Sequence, residues 1–501
     1  MKIVNLLQVL LLVVFSACQQ PKQEAKKLPE KPNIIFLFAD DQCHSTIHAL
    51  GNKEVITPNL DKLVRNGVTF TNAYNMGSWS GAVCLASRAM LNTGKPVWKA
   101  NAGVRSVNKG EAQSWAQMMS AQGYETYMTG KWHVSFPAAK HFDHTKHIRG
   151  GMPKDNWNHA AMVKKFKNLK KGEDYRDFMP TGYNRPLSKD DHSWSPTDTL
   201  NGGYWEGGQH WSEVLRDDAI AFINQAKTSE KPFFMYLAFN APHDPRQAPQ
   251  EFQDMYDEES LSVPQNFQPL YPEAEAIGNG PSLRDAALAP FPRTKYATRV
   301  HLKEYYASIT HMDAQIGKIL KAVEESGKAD NTYIIYSADH GLAVGDHGLF
   351  GKQNMYDHSM RPPFMIIGPG LQKGKKVDAE IYLQDAMATA LDLAGSTQKD
   401  SVFFHSVLPL ALGQQEKSNY SAIYGGYLDL QRMIREDGYK LILYPGIHQL
   451  KLFNIDADPL EMKNLADSPE QKQRIKQMFT ALKTLQSEVG DKLNLDDYYK
   501  L

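Results

Sequence analysis

The chain has 501 residues, with 56 basic and 56 acidic side chains, 42% hydrophobic residues and three cysteines. The balanced charge provides no overall attraction to nucleic acid or to an anionic membrane, so any preference for an anionic ligand must be local. Three cysteines in a chain of this length exclude a scaffold held together by disulfide bonds.

Residues 1–17 carry one lysine and then an apolar run that ends in two small residues directly before Cys18. The run is too short to cross a bilayer and is typical of a signal peptide. The junction resembles the cleavage and lipidation site of bacterial lipoproteins, which predicts Cys18 as a lipid-bearing N-terminus followed by a solvated tether to residue 32. An ordinary secretory signal is the alternative. Both interpretations predict export to the periplasm or cell envelope.

The first predicted strand is residues 33–39, a continuous apolar run that ends in polar residues, and residues 233–239 and 332–337 have the same pattern. Such runs are typical of central strands covered by helices on both faces. Because ligands bind at the carboxyl ends of the strands in open α/β sheets, the polar residues are predicted to form one site. Taken singly, each aspartate also fits a turn or a helix cap. The polar residues are Asp40 and Asp41, His243, and Asp339 and His340.

Cys84 and Arg88 lie one helical turn apart in the sequence CLASR, at the predicted start of a helix. The first-turn amides of a helix are unpaired and favour anions, so a reactive side chain at residue 84 would lie beside positive charge. This arrangement predicts a site for an anionic substrate. The alternatives are a buried, inert thiol or a disulfide bond between Cys84 and Cys43.

Residues 114–121 and 305–325 have apolar side chains at helical spacing, and a glycine follows each segment. Lys131 and His133 lie two residues apart in a segment predicted to be extended, where their side chains share one side. A cation and a titratable base can act together there. An exposed lysine and a turn-capping histidine are the alternative.

The segment of residues 141–210 is an insert whose tryptophans and arginines are able to stack on sugar rings and to bind uronate or sulfate groups. A loop packed over the sheet, with its aromatic side chains in the core, is the alternative. The tryptophans and arginines of the insert are Trp157, Trp194, Trp205, Arg149, Arg176 and Arg185, and Trp211 lies just beyond it. The candidate substrate contacts are Trp194, Trp205, Arg246 and Arg293.

The C-terminal part of the chain is predicted to contain four short antiparallel strands, at residues 421–427, 431–435, 440–444 and 449–453, because turn signals separate the segments. A terminal helix is predicted at residues 468–489.

The sequence around Cys84 resembles the modification signature of the formylglycine-dependent sulfatases of the alkaline phosphatase superfamily. Further motifs follow in the order of that family, including GKWH at residues 130–133 and APHDP at residues 241–245. The resemblance implies an α/β catalytic domain, residues 33–412, in which helices flank a large mixed central sheet. It also implies a C-terminal α+β subdomain, residues 413–501, with a smaller antiparallel sheet and a terminal helix.

The resemblance further implies that Cys84 is oxidised to formylglycine, hydrated, and able to attack the sulfur of a sulfate ester. The implied metal is Ca2+, with Mg2+ or another divalent ion as an alternative, since His340 stands where many relatives carry asparagine. The implied metal ligands are Asp40, Asp41, Asp339, His340 and the modified residue 84. The other implied catalytic residues are Arg88, Lys131 and Lys352 for the sulfuryl oxygens, His243 for the leaving oxygen, and His133 for the proton transfer that releases sulfate.

Ala86 stands where many sulfatases carry proline, which resembles the class served by an oxygen-independent radical maturase. The implied substrate is a sulfated polysaccharide or oligosaccharide, with ulvan or carrageenan as examples, and no nucleic acid partner is expected. The alternatives are a phosphodiesterase or phosphonate hydrolase of the same superfamily, and a catalytically dead glycan-binding lipoprotein.

Overall fold

The computed structural model of the protein describes residues 29–151, 164–165, 168–174, 178, 182–199, 203–244 and 246–500. The predicted signal peptide, Cys18 and most of the predicted tether lie outside the described residues, as do Trp157 and Arg176. Within these ranges, no helix combines the length and the apolar character that crossing a membrane requires.

Helices and strands alternate along most of the chain. The α-helices are α1 (Pro58–Asn66), α2 (Val83–Thr93), α3 (Val97–Asn108), α4 (Trp115–Ala121), α5 (Trp211–Lys227), α6 (Gln250–Gln253), α7 (Lys295–Glu325), α8 (Asp357–Met360), α9 (Asp385–Leu393), α10 (Leu408–Leu412) and α11 (Lys472–Val489). The first strands are β1 (Asn33–Ala39), β2 (Val68–Phe70), β3 (Ala73–Tyr74), β4 (Gly77–Ser78), β5 (Glu125–Lys131), β6 (His144–Arg149), β7 (Trp205–Glu206), β8 (Gln209–His210) and β9 (Phe233–Ala238). The later strands are β10 (Thr332–Ala338), β11 (Ala343–Val344), β12 (Phe350–Gly351), β13 (Phe364–Ile367), β14 (Lys375–Val377), β15 (Ile381–Tyr382), β16 (Ile423–Tyr427), β17 (Gln431–Glu436), β18 (Tyr439–Tyr444) and β19 (Gln449–Asn454).

A mixed sheet of eight strands forms the centre of the protein, in the order β14-β2-β13-β10-β1-β9-β5-β6. Strand β1 pairs in parallel with β10 and β9, whereas β13 runs antiparallel to β10. Alternate side chains of β1 enter two hydrophobic clusters, one shared with α2 and α4 and the other with α1, α5 and α7. Both faces are therefore covered, which explains the unbroken apolar run, and the predicted α/β fold with a mixed central sheet is confirmed.

The long helix α7 begins at Lys295, ten residues before the predicted start. Thr294 caps it by accepting a hydrogen bond from the amide of Ala297. The first turns of α7 bury polar side chains, among them His301 and Glu304. Because several of the buried side chains in these turns are polar, the apolar spacing that predicts a helix appears only from Tyr305 onward.

The predicted antiparallel strands of the C-terminal part are confirmed as β16 to β19, and the predicted terminal helix is confirmed as α11. Their sheet has a fifth strand that the sequence did not predict, because β4 pairs in parallel with β16. A side-chain carbon added at Gly77 would lie 1.9 Å from the carbonyl oxygen of Gly426, so the pairing requires glycine there. The C-terminal sheet thus holds the segment that leads into α2, and the division at residue 412 stays a prediction.

Candidate active site

The carboxyl edge of the central sheet brings the predicted site residues together. The aspartates follow β1 and β10, Lys131 ends β5, and Cys84 is the second residue of α2. Asp41 and His133 both have left-handed backbones, with φ of 69° and 50°. Such conformations cost about 1–3 kcal/mol each outside glycine and persist where the surrounding structure holds them.

The backbone of His133 corrects one prediction. Strand β5 ends at Lys131, and the positive φ at His133 turns the chain, so the two residues do not share one extended segment. Their side chains nevertheless both interact with Cys84. The convergence predicted for Lys131 and His133 is present, but a turn rather than strand geometry produces it.

Five buried side chains offer ligand atoms that all lie within 4.8 Å of one another, as a metal site requires. One carboxylate oxygen of Asp40, Oδ1, has no hydrogen-bond partner among the described residues. The Nδ1 of His340 donates to the carbonyl oxygen of Gly341 at 2.8 Å, which leaves Nε2 to face Asp41. Carboxylate oxygens and this ring nitrogen fit a divalent cation. The five residues are Asp40, Asp41, Cys84, Asp339 and His340.

Each of the three carboxylates is paired with a buried cation. Arg88 Nε donates to Asp339 at 3.1 Å, and Lys352 Nζ donates to the two oxygens of Asp41 at 2.8 and 2.7 Å. Lys131 pairs with Asp40 in the same way. Because a carboxylate buried alone costs several kcal/mol, these pairs keep the cluster compatible with a folded interior.

Cys84 lies at the centre of this cluster and is only 3% exposed. Its Sγ lies 3.3 Å from Nε2 of His340 and 3.8 Å from Oδ1 of Asp41. Burial by itself raises the pKa of the thiol, but Lys131, Lys352 and His340 together hold that pKa well below its ordinary value. The sulfur therefore lies among metal-ligand types and beside cations that favour its ionised form.

The alternative of a disulfide bond is wrong, because Cys43 and Cys84 are both free. Cys43 is buried, and its Sγ lies 3.2 Å from the amide nitrogen of Leu342. Burial raises its pKa to about 12, which marks an inert thiol. Only one of the two described cysteines is thus activated by neighbouring cations.

His243 faces the cluster from the loop after β9. Its Nε2 lies 3.7 Å from Oδ2 of Asp41, and its Nδ1 lies 2.7 Å from the carbonyl oxygen of Asp244. The Nδ1 also lies 3.2 Å from the carboxylate of Asp244. With Nδ1 engaged as a donor on one side, Nε2 is directed toward the centre of the site.

Sequence reasoning missed Arg284 and Asp285, which lie in a stretch without a recognisable motif before α7. Arg284 contacts both Asp244 and Asp285, and Asp285 lies 3.9 Å from Lys352. Six side chains, in which carboxylates alternate with basic groups, thereby form a closed circuit, which we call the charge ring. Its members, in order, are Asp41, Lys352, Asp285, Arg284, Asp244 and His243.

Two of the predicted substrate contacts are buried, since Arg246 is 2% and Arg293 is 3% exposed. Arg293 donates to the backbone carbonyls of Gly348, Ala286 and Ala289, which fixes loops around β12. Arg246 Nη1 lies 3.0 Å from His301 Nδ1, inside the protein. Both guanidinium groups therefore have partners inside the protein, and a contact of either one with the substrate stays a prediction.

The two predicted tryptophan contacts remain half-buried. Trp194 lies against Arg185, whose guanidinium carbon is 4.1 Å from the ring centroid, and Arg185 is in turn paired with Glu304. Trp205 packs edge-on against His210, with 5.2 Å between ring centroids. The contact of Trp194 with Arg185 fits the alternative interpretation, in which the insert packs over the sheet. A contact between either tryptophan ring and the substrate stays a prediction.

Comparison with known proteins identifies the family. The Sulfatase family profile matches residues 32–396, and a profile for the C-terminal part of N-sulphoglucosamine sulphohydrolase matches residues 345–488. An arylsulfatase of Clostridium perfringens is 31% identical over 466 residues, covering 89% of this chain and 92% of the relative. An ulvan-active sulfatase of Formosa agariphila is 28% identical, covering 100% of this chain and 90% of the relative.

Solved structures show the same fold. The structure of BT4656 in complex with its substrate D-glucosamine-2-N,6-O-disulfate has a TM-score of 0.69 at 22% identity, covering 92% of this chain and 99% of that chain. Phosphonate monoester hydrolase SpPMH from Silicibacter pomeroyi has a TM-score of 0.70 at 20% identity, covering 92% and 96%. Since one fold hosts more than one chemistry, the assignment depends on the family profile and the arylsulfatase relative. On that ground the chain belongs to the sulfatase family and is a sulfuric ester hydrolase.

Proposed function

We propose that this sulfatase hydrolyses sulfate esters on a carbohydrate, with an algal polysaccharide of the ulvan or carrageenan type, or its oligosaccharides, as the favoured substrate. Residue 84 is the nucleophile after oxidation of Cys84 to formylglycine. The observation that supports this most directly is the location of its Sγ, 3.3 Å from His340 and 3.8 Å from Asp41. A group at that point lies among metal-ligand types and buried cations that favour an anionic ester.

A divalent cation is proposed at Asp40, Asp41, Asp339, His340 and residue 84, with Ca2+ favoured and Mg2+ or another ion as alternatives. The donor set and the Oδ1 of Asp40, which accepts no hydrogen bond among the described residues, support this site. A bound cation would supply charge neutralisation and would acidify the attacking hydroxyl. The ring nitrogen of His340 departs from the all-oxygen set that Ca2+ prefers, which keeps the identity of the ion a matter for experiment.

Arg88, Lys131 and Lys352 are proposed to hold the sulfuryl oxygens. Lys131 and Lys352 are paired with Asp40 and Asp41, the carboxylates that a cation would engage. Once those carboxylates have another partner, the two ammonium groups are available for the anionic substrate. Donors fixed in this way before the reaction stabilise charge where it develops.

Two histidines are proposed to move protons. His243 protonates the leaving oxygen, because its Nε2 faces the centre of the site while Asp244 holds Nδ1. His133, which interacts with residue 84, takes the proton whose removal allows sulfate to leave. General acid and base groups of this kind typically contribute about 10²–10⁴-fold to the rate.

Two similar proteins support a saccharide substrate. One is an ulvan-active sulfatase, and the other was solved in complex with a sulfated glucosamine. The test is to incubate the matured enzyme with a panel of sulfated oligosaccharides, including ulvan and carrageenan fragments, and to measure released sulfate. Matched phosphate and phosphonate esters test the alternative that the fold of the phosphonate hydrolase suggests. Faster turnover of those esters would contradict the proposed activity, as would no release from any sulfated saccharide.

The N-terminal sequence supports a location at the cell envelope. We propose that residues 1–17 are a signal peptide, that Cys18 carries a lipid, and that residues 18–32 tether the enzyme to the membrane. An enzyme tethered there would meet polymer fragments as they reach the envelope.

Replacing His243 with alanine is expected to lower kcat/KM about 10³-fold on a saccharide sulfate but only about tenfold on an activated aryl sulfate. The difference arises because a phenolate leaves without protonation, whereas a sugar alkoxide does not. His133→Ala is the matched control. Sulfate is released after the leaving group has departed, so this variant should lower kcat and leave the ratio of kcat/KM between the two substrates unchanged. Equal losses in the His243 variant would assign that residue to binding instead.

Conversion of Cys84 is expected to require an unfolded chain, because the residue is 3% exposed inside α2. A radical maturase added to the folded thiol protein should convert almost none of it, whereas co-expression should convert most of it. Mass analysis of the peptide that spans residue 84 detects the replacement of thiol by aldehyde. Urea-unfolded protein is the positive control, and rapid conversion of the folded chain would contradict this expectation.

A further inference from the structure

Arg284 is the one member of the charge ring whose described contacts include neither Cys84, nor a proposed metal ligand, nor a proposed catalytic side chain. Arg284 donates to Asp244 at 2.6 and 3.3 Å and to Asp285 at 2.5 Å. Its side chain is 13% exposed, and those of the two aspartates are 2% and 5% exposed. The arginine therefore joins two buried carboxylates that come from different loops.

Each of those carboxylates contacts a proposed catalytic residue. The carboxylate of Asp244 lies 3.2 Å from Nδ1 of His243, and the carboxylate of Asp285 lies 3.9 Å from Nζ of Lys352. Gln353 donates to the second oxygen of Asp285 at 2.9 Å, so that side chain is held from both ends. One guanidinium group thus fixes the carboxylates behind the histidine and behind the lysine.

Metal binding by Asp41 would make the contacts of Asp244 and Asp285 more important. His243 and Lys352 both contact Asp41, which is also a proposed metal ligand. When Asp41 engages a cation, Asp244 and Asp285 are the remaining carboxylates of the charge ring that contact these two residues. Their spacing then depends on Arg284, and only a planar group with several donors is able to bind two carboxylates at once in this way.

We propose that Arg284 is a positioning residue that orients His243 and Lys352 together, acting through Asp244 and Asp285. The inference rests on the proposed function, in which His243 protonates the leaving oxygen and Lys352 holds a sulfuryl oxygen. A shift of about 1 Å in such groups is able to cost roughly 100-fold in rate.

The test compares Arg284→Met with Arg432→Met in the matured, metal-loaded enzyme. Arg432 is a matched control, because it forms a buried two-bond pair with Asp491 at 2.6 and 2.9 Å that is outside the charge ring. The readouts are kcat and KM on a saccharide sulfate and on an activated aryl sulfate, together with the midpoint of thermal unfolding.

Arg284→Met is expected to lower kcat about 10-fold on the aryl sulfate, through Lys352, and at least about 100-fold on the saccharide sulfate, where His243 is needed as well. Arg284→Lys keeps the positive charge but lacks the planar guanidinium group with its several donors. Its losses in kcat should lie between those of the methionine variant and the wild type. Arg432→Met should lower the unfolding midpoint by a similar amount while changing both kcat values equally and by only a few-fold.

Equal losses on the two substrates in Arg284→Met, matched by Arg432→Met, would show that Arg284 only stabilises the fold and would overturn the inference. His243→Ala, measured alongside, separates this failure from failure of the proposed function. If His243→Ala loses more activity on the saccharide sulfate than on the aryl sulfate, but Arg284→Met loses the same on both, the inference about Arg284 is overturned and the proposed function stands. If His243→Ala loses the same activity on both substrates, His243 does not protonate the leaving oxygen, and the inference about Arg284 is overturned as well.

Discussion

Cys84→Ala is expected to lower sulfate-ester turnover by at least about 10⁴-fold, because alanine provides no side chain that a maturase could turn into a nucleophile. The substitution removes one sulfur atom from a site with polar neighbours, so the protein should still unfold cooperatively. Sulfate release by enzyme co-expressed with a radical maturase measures the loss. Alanine is preferred to serine, whose hydroxyl group is itself a substrate for oxidation to the same aldehyde.

Cys43→Ser is the matched control for this experiment. Cys43 is the other free cysteine of the described chain, it is buried, and its contacts are with Leu342 and Tyr305 rather than with the ligand cluster. It should retain activity within about tenfold, since a buried hydrogen-bonded side chain is exchanged for one of similar shape. Substantial turnover by Cys84→Ala would refute a nucleophile at residue 84.

Removal of the divalent cation is expected to lower turnover about 10³-fold without unfolding the protein. Loss of several kcal/mol of charge stabilisation corresponds to a rate change of that size. The fold should persist because the cluster contains its own counter-charges, with Arg88 on Asp339, Lys131 on Asp40 and Lys352 on Asp41. Sulfate release and circular dichroism before and after treatment with a chelator test both halves of the prediction.

Addition of Ca2+, Mg2+ and Mn2+ in parallel to the chelated protein should restore turnover, and the ion that does so at the lowest concentration identifies the native metal. Asp339→Asn is a useful comparison, because it removes a ligand charge and the carboxylate to which Arg88 Nε donates. That variant should lose stability as well as activity, in contrast to chelation. Full turnover by protein with no detectable metal would exclude a role for the cation in catalysis.

The sequence predicted those parts of the protein in which one physical cause acts alone. Strands β1, β9 and β10 are buried on both faces, so their sequences are continuously apolar and their polar ends mark the site. Cys84, Lys131 and His133 were found through short motifs, and the structure brings all three together.

Residues whose role depends on distant partners escaped prediction. Arg284 and Asp285 belong to the charge ring only because loops from several parts of the chain meet there, and nothing in their local sequence marks them. Arg246 and Arg293 were predicted as substrate contacts, and the sequence does not reveal the tertiary packing that buries both. The two-residue strand β4 has no periodicity to detect, since it is defined entirely by its partner β16.

The pairing of β4 with β16 also bears on how the enzyme is made. Gly77 and Gly426 are partners in this pairing, and roughly 350 residues separate them along the chain. At a synthesis rate of about 5–20 residues per second, the ribosome needs on the order of 20–70 s to add the second partner after the first. During that interval strand β4, which leads to Cys84, cannot yet pair with β16. The delay would give the proposed radical maturase time to oxidise the thiol before the folded protein buries it.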